Sequence, residues 1–377
     1  MLRKNPFYLK VLPPEAPFCN RVRELKELEN YGYSGTSVVI YSPRREGKTS
    51  LVNRVQERLH KSGAVTVKAD FLSVFSVEDI AARLAKAVFS ETKKHEPLYR
   101  KAVSLIKSFR PAVQTDPLTG SVSLTLLSVS GKTGFELLED VLESLKIFSQ
   151  SAGSPLNIFI DEFQEVTSLR DSAKIEALLR TYMQETSASF FFVGSRRRIL
   201  SDMFNERKRP FYKMAMSYPL EKIAENELSH WIKEQFEHSG VLCEAELACE
   251  LVRLAHRHTF YVQKLGMLTF NLSDKAVTRE SLIAAYQDLL ESEKTVFEES
   301  YLKPLASAQR NLLTALAREN TKQPFAQYYI RRHSLPSAAT LQSALKALLN
   351  EDLVHRDADI YTLVDKVFED YLRRNYS

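Results

Sequence analysis

Five short apolar runs, separated by amphipathic stretches, constrain this chain more than any other feature. They are SVVIYS (37–42), VTVKADF (65–71), NIFIDE (157–162), SFFFVGS (189–195) and MSYPL (216–220). Strands this continuously hydrophobic have no face for water and must be covered on both sides. A parallel sheet with crossover helices meets that need, so residues from about 36 to 220 are expected to form an α/β region. One stretch, 110–134, interrupts the pattern. Turn residues around Pro117 and Gly120, followed by alternation at Val122, Leu124 and Leu126, predict a hairpin or loop excursion there.

Strand signals end near residue 224. Four helical patterns fill 225–296, among them ENELSHWIKEQFEHSG, with an expected cap at Asn226 and a stop at Gly240. SAQRNLLTALAREN, FAQYYIRRHSL and SAATLQSALKALLNEDLV then read as three helices, and VHRDADIYTLVD as a β-hairpin. Three helices and a hairpin, in that order, are the elements of a winged helix-turn-helix. Three domains are therefore expected, at 1–224, 225–296 and 297–377.

The 377 residues are enough for several buried cores, and 44% hydrophobic with 26% charged content is that of an ordinary globular protein. A net charge of +5 permits nucleic-acid contact without arguing for it. Cys19, Cys243 and Cys249 are widely spaced, which fits reduced thiols. No apolar run approaches the ~18 residues of a membrane span, and Lys10, Pro13 and Pro14 break any leader-like stretch. A cytoplasmic protein is expected.

The segment YSPRREGKTSL (41–51) follows the first strand and opens a helix. It fits the phosphate-loop pattern G-x-x-x-x-G-K-[ST] except that Ser42 replaces the first glycine. Such a loop works because successive backbone N–H groups and a helix N-terminus converge on an anion. Ser42, Pro43, Arg44, Arg45, Glu46, Gly47, Lys48, Thr49 and Ser50 are thus candidate nucleotide-binding residues. Lys48 would reach the β- and γ-phosphates, and the Thr49 hydroxyl would hold Mg²⁺. Gly47 is expected where a side chain would crowd the phosphate. Ser42 occupies the strand exit, where Pro43 helps make the turn. The alternative is a basic surface turn ahead of a helix.

A second motif strengthens the first. LNIFIDEFQEV sets Asp161 and Glu162 directly after a strand. In a Walker B arrangement the first acid joins the Mg²⁺ shell and the second polarises the attacking water. Ser195, closing SFFFVGS, stands where an ASCE-type sheet has a residue that senses the γ-phosphate. The catalytic candidates are accordingly Lys48, Glu162 and Ser195, and the metal candidates Thr49 and Asp161. His and Cys spacings give no other metal motif.

FCNRVREL (18–25), SPRREGKTSL, NIFIDEFQEV, FFFVGS, KRPFYKMAMSYPLEKI (208–223), HTFYVQKL (258–265) and YTLVDKVFEDYLRR (361–374) occur in this order. Together they resemble archaeal-type ATPases of the STAND/AAA+ group, P-loop ATPases with a C-terminal winged helix. The resemblance implies a P-loop NTPase core of the ASCE/AAA+ type, a helical lid and a winged helix-turn-helix. It also implies ATP or ADP with Mg²⁺ as ligands and tolerance of serine at the first loop position. By the same resemblance Phe18 and Arg21 approach the adenine; alternatively Arg21 and Glu24 form an i,i+3 surface pair. Thr259 stands where relatives carry proline, and His258 is open to two readings, nucleotide contact or helix cap.

Seven cations in SRRRILSDMFNERKRPFYK (Arg196, Arg197, Arg198, Arg207, Lys208, Arg209 and Lys213) could include a finger for a neighbouring subunit, a DNA-backbone contact, or only a solvated face. The candidate recognition helix offers Ser337, Thr340, Gln342 and Ser343 but one cation, Lys346, and the wing brings Arg356 between Asp357 and Asp359. That is little charge for DNA. The function expected is an ATP-binding, slowly hydrolysing molecular switch that couples nucleotide state to a protein partner, with a homo-oligomer needed if the finger acts in trans. The alternative is a DNA-binding regulator for which ATP is a conformational ligand.

Overall fold

The computed structural model describes residues 4–13, 16–92, 106, 108–115, 122–128, 131–151 and 153–376. The chain forms two compact units. One contains Arg21–Ser42 and Lys48–Leu220; the other contains Met1–Asn20, Pro43–Gly47 and Glu221–Ser377.

The first unit is built on the five apolar runs. They form strands β1 (Val38–Tyr41), β2 (Val65–Asp70), β5 (Leu156–Asp161), β6 (Ser189–Gly194) and β7 (Met216–Pro219), with β3 (Phe109–Thr115) and β4 (Val122–Ser128) in a separate hairpin. All pair in parallel, in the order β2-β5-β6-β1-β7. Every residue of β1, β5 and β6 is buried, as central strands covered on both faces require. The edge strand β7 is largely exposed and tolerates Pro219, because an edge has a side without hydrogen-bonding neighbours. Asn157 is the one polar side chain of β5 before its closing Asp161. It donates to Ser189 Oγ (2.5 Å), which in turn donates to the Gly32 carbonyl (3.0 Å), so a buried amide is tied into a chain of bonds.

Phe163, Phe192, Phe204 and Phe211 pack together under one face of the sheet, with ring centroids 4.5 Å apart for Phe163–Phe192 and 4.9 Å for Phe204–Phe211. All four are buried, and each is worth roughly 2–3 kcal/mol of apolar burial. This cluster fixes the segment directly after β5. Strands β3 (Phe109–Thr115) and β4 (Val122–Ser128) form the expected hairpin, antiparallel from Phe109↔Ser128 to Thr115↔Val122. Its expected turn residues, Pro117 and Gly120, lie outside the described residues.

The second unit is helical, with the helices Glu225–His238, Ala245–Leu254, Thr259–Leu272 and Arg279–Thr295. Asn226 is not the cap. The first of these helices starts one residue earlier, on an extended Ala224, and Glu225 and Glu227 bring negative charge to its positive end. Phe7 from the N-terminal segment packs edge-on against Phe236 (5.1 Å) and Trp231 (6.2 Å). Helices Ser307–Arg318, Gln327–Arg332 and Ala338–Asn350 follow, then the hairpin β8 (Val354–Asp357) and β9 (Ile360–Leu363), and the closing helix Lys366–Asn375. The expected three helices and wing are present. No helix among the described residues is long and apolar enough to cross a membrane.

One buried ion pair in the sheet unit generates a test. Glu176 is fully buried, and Arg209 Nη2 reaches its Oε1 at 2.5 Å. Burial lifts the Glu176 carboxyl to about 7, against the downward pull of Arg209. Its folded value lies above the ordinary 4.5, so folding takes up a proton and this group's contribution falls as pH rises through that window. Arg209→Met leaves the carboxylate unpaired. Chemical denaturation should show a loss on the order of 3 kcal/mol at about pH 8, shrinking at about pH 5 where the carboxyl is protonated. An equal loss at both pH values would contradict this assignment.

Candidate functional site

Because β1, β5 and β6 are adjacent in one parallel sheet, their carboxyl ends share one edge. Asp161 closes β5, and Ser42, Glu162 and Ser195 follow directly on β1, β5 and β6. Helix Lys48–Lys61 starts at the lysine of the loop. The buried Lys48 ammonium donates to the Ser42 carbonyl at 2.8 Å and to Ser42 Oγ at 3.4 Å, closing the ends of the loop on each other. Ser50, in the first turn of this helix, is buried.

Where the loop needs a left-handed residue explains how it manages with one glycine. Positive φ falls on Arg45 (62°) and Gly47 (84°), not on Ser42. A serine at the strand exit therefore carries no backbone penalty, whereas Arg45 costs about 1 kcal/mol. Among the protein's own atoms, a Cβ at Gly47 would meet nothing nearer than Thr259 Oγ1, 4.0 Å away. Within the protein, its left-handed φ of 84° is what favours glycine.

Thr49 Oγ1 donates to Asp161 Oδ2 at 3.2 Å. Asp161 is buried, and desolvation pushes its carboxyl above the usual range; Lys68 opposes this, while Glu162 and Asp70 reinforce it. Lys68, on β2, is itself lowered by burial and donates to Asn53 Oδ1 at 2.6 Å. A hydroxyl and a carboxylate in contact are hard oxygen donors of the kind Mg²⁺ takes, and this ion needs only one or two protein oxygens beside a nucleotide. Among the described residues no group of three or more His, Cys, Asp or Glu could hold a metal. The residues present fit Mg²⁺ held jointly with phosphates.

Glu162 has a left-handed backbone (φ 50°) and caps the short 3-10 helix Phe163–Ser168. Ser195 Oγ donates to its Oε2 at 3.3 Å, so these two candidates are brought together. Gln164 Nε2 donates to the same oxygen. Sequence reasoning missed Gln164 and Lys68. The sequence does carry a signal for Lys68, a cation inside the apolar run VTVKADF.

Arg21 precedes helix Val22–Tyr33 in the sheet unit. It pairs with Glu24 at 2.6 Å, but its side chain is only 6% exposed and its Nη2 is buried without a hydrogen-bond partner. The expected i,i+3 pair therefore forms, but Arg21 is buried and not at the surface. Phe18, in the helical unit, is half-buried. Arg197 is stacked 5.8 Å over Tyr41, and Arg209 serves Glu176; Arg198, Arg207, Lys208 and Lys213 are exposed.

In the helical unit, the segment Pro43–Gly47 is held by the start of helix Thr259–Leu272. His258 is the residue before this helix, and its Nε2 bonds to the Arg44 carbonyl at 3.0 Å. Thr259 N–H donates to Glu46 Oε2 (3.2 Å), and its hydroxyl donates to the Arg45 carbonyl (2.9 Å). The Arg45 guanidinium stacks 4.4 Å from the Phe260 ring centre. A first-turn N–H has no partner within its own helix, and the buried Glu46 carboxylate supplies one. Proline at 259 could provide neither the N–H nor the hydroxyl, which accounts for threonine here.

In the winged helix, Ser337 caps helix Ala338–Asn350 by accepting from Thr340 N–H. Arg332 and His333 pair with Glu319 (3.2 and 3.0 Å), and Arg356 with Asp359 (2.7 Å). Gln342, Ser343 and Lys346 are exposed.

Residues 296–374 match a family model described as a probable winged helix domain. No curated protein matches the chain by sequence. In three dimensions the chain is similar to the Walker-type ATPase paby2304 of Pyrococcus abyssi, with a TM-score of 0.71 and 17% identity over 97% of this chain and 99% of that one. It is also similar to the Aeropyrum pernix ORC2 protein solved as ADPNP-ADP complexes (0.55, 15%, 99% and 98%). A third similar structure is the ORC1 protein of the same organism in complex with DNA (0.51, 13%, 98% and 94%). At these identities the likeness establishes the fold, which is that of archaeal Walker-type P-loop ATPases ending in a winged helix.

Proposed function

We propose that the chain is an ATP-binding, ATP-hydrolysing molecular switch. One observation carries this reading: Lys48, the Thr49–Asp161 contact and the Glu162–Ser195 contact gather at the carboxyl edge of three adjacent parallel strands. The likeness to ORC2 in its ADPNP-ADP complexes supports a nucleotide as the ligand.

In this reading the loop amides between Pro43 and Ser50 cradle the phosphates, and Lys48 exchanges the Ser42 carbonyl for phosphate oxygens. Thr49 and Asp161 would hold Mg²⁺, which when bound neutralises phosphate charge. Glu162 orients the water and accepts its proton as the oxygen attacks the γ-phosphorus; the bond to the β-bridging oxygen breaks, and ADP leaves with the electron pair. Ser195 senses the γ-phosphate by turning its hydroxyl, which here donates to Glu162, toward a phosphate oxygen. Positioning and charge stabilisation carry such a reaction, so the protein needs no covalent step of its own. Phe18 and Arg21 are assigned to the adenine side.

We assign 1–224 to the ATPase core, 225–296 to the lid and 297–377 to the winged helix. The grip of His258 and Thr259 on Arg44, Arg45 and Glu46 supports a lid that responds to what the loop binds. For the winged helix we favour a protein partner over DNA, because Arg332 and Arg356 are paired with acids and the recognition helix offers one cation.

Lys48→Ala should abolish stabilisation by Mg-ATP, which in the unaltered protein reaches about 2.7 kcal/mol at a hundredfold excess over Kd. A thermal shift that survives the substitution would contradict the phosphate assignment. Glu162→Gln should bind ATP normally and lose turnover by on the order of 100-fold or more; unchanged turnover would remove Glu162 from its role. Electrophoretic titration with duplex DNA at low and high salt should show no discrete complex; a salt-sensitive complex that persists in Lys48→Ala would favour the DNA regulator instead.

A further inference from the structure

We propose that Gln164 is a positioning residue that aims the Glu162 carboxylate at the attacking water. The inference rests on the reading of Glu162 as the group that orients that water, and adds a residue to its machinery. Gln164 follows β5 by three positions, inside the 3-10 helix Phe163–Ser168, and its side chain is only 1% exposed. Its Nε2 donates to Glu162 Oε2, the oxygen that also accepts from Ser195 Oγ. Both donors thus converge on one carboxylate oxygen and leave Oε1 to meet a water.

Three features argue that this contact serves the carboxylate and not the core. First, Gln164 Oε1 is buried without a hydrogen-bond partner. An orphaned buried acceptor costs about 1–3 kcal/mol, which an apolar side chain of similar size would avoid. The amide cannot be reversed to relieve it, since its carbonyl would then face the carboxylate. Second, Glu162 holds a left-handed backbone that a non-glycine residue enters at a cost. From that backbone the carboxylate accepts from both Gln164 and Ser195. Third, room for the amide depends on Gly194. A Cβ there would overlap Gln164 Oε1 and lie 2.8 Å from Leu200 Cδ1. Gly194 is the last residue of β6, next to Ser195, so the strand that carries one donor also makes space for the other.

Ser195 and Gln164 play unequal parts. The serine bond is long at 3.3 Å, and its hydroxyl can turn toward another acceptor. The Gln164 side chain is only 1% exposed and its amide has no acceptor other than Glu162 Oε2 among the described residues, so it has little room to turn away. Gln164 therefore keeps Glu162 aimed while Ser195 engages or releases it.

The test uses the full-length chain, with Mg-ATP binding by calorimetry and steady-state turnover measured side by side. Gln164→Met keeps the volume and removes the donor. It should bind Mg-ATP within about threefold of the unaltered protein and lose turnover on the order of 100-fold. Gln164→Glu supplies a donor only when protonated. It should be as slow as Gln164→Met at about pH 8 and regain turnover toward about pH 5.5, a recovery absent from the unaltered protein and from Gln164→Met. Turnover of Gln164→Met equal to the unaltered protein, with Glu162→Gln inactive, would overturn the proposal and leave the role of Glu162 intact. Equal turnover in Glu162→Gln would overturn both. Loss of binding together with turnover in Gln164→Met, or no acid recovery in Gln164→Glu, would assign Gln164 to the fold and overturn its positioning role.

Discussion

Parallel pairing of β5, β6 and β1 is the constraint on which the rest depends. Strands that run the same way end at the same edge, so any polar residue placed just after them is delivered to one place. Here that edge collects Ser42, Asp161, Glu162 and Ser195. The burial that covers these strands on both faces also desolvates the charged groups at their edge. Asp161 is raised by desolvation, and Lys48 is buried against a carbonyl. Charged groups held out of water interact strongly with whatever charge arrives.

The segment 41–51 departs from the phosphate-loop pattern at Ser42 alone. The turn takes its left-handed residues at Arg45 and Gly47, so the first position can be serine. Arg45 accepts a strained backbone, and the stacking of its guanidinium on Phe260 and the bond from Thr259 to its carbonyl offset part of that cost. Glu46 uses its carboxylate to fill an open helix N-terminus. Arg44, Arg45 and Glu46 are thus bonded to the start of helix Thr259–Leu272, while Gly47, Lys48 and Thr49 match the residue types of the phosphate-loop pattern.

Strands and helices were legible because each depends on local composition. NIFIDE and SFFFVGS could be read as buried strands from their own residues, and the order of helices and hairpin foreshadowed the winged helix. Pairings across long separations were not legible. Nothing in FQEV states that Gln164 folds back on Glu162, since that depends on a glycine 30 positions away at the end of another strand. Arg21 looked like a surface residue because spacing alone describes a helix face and not what covers it. Thr259 read as a departure from a pattern; its bonds to Arg45 and Glu46 become visible only when the loop is in place.

The central claim is that the backbone from Pro43 to Ser50 takes a polyphosphate. Amide hydrogen exchange of the full-length protein tests it most directly, with and without saturating Mg-ATP. The account predicts slowed exchange in peptides spanning residues 43–50, with smaller effects around Asp161–Gln164. Unchanged exchange in the 43–50 peptides at saturating nucleotide would contradict it.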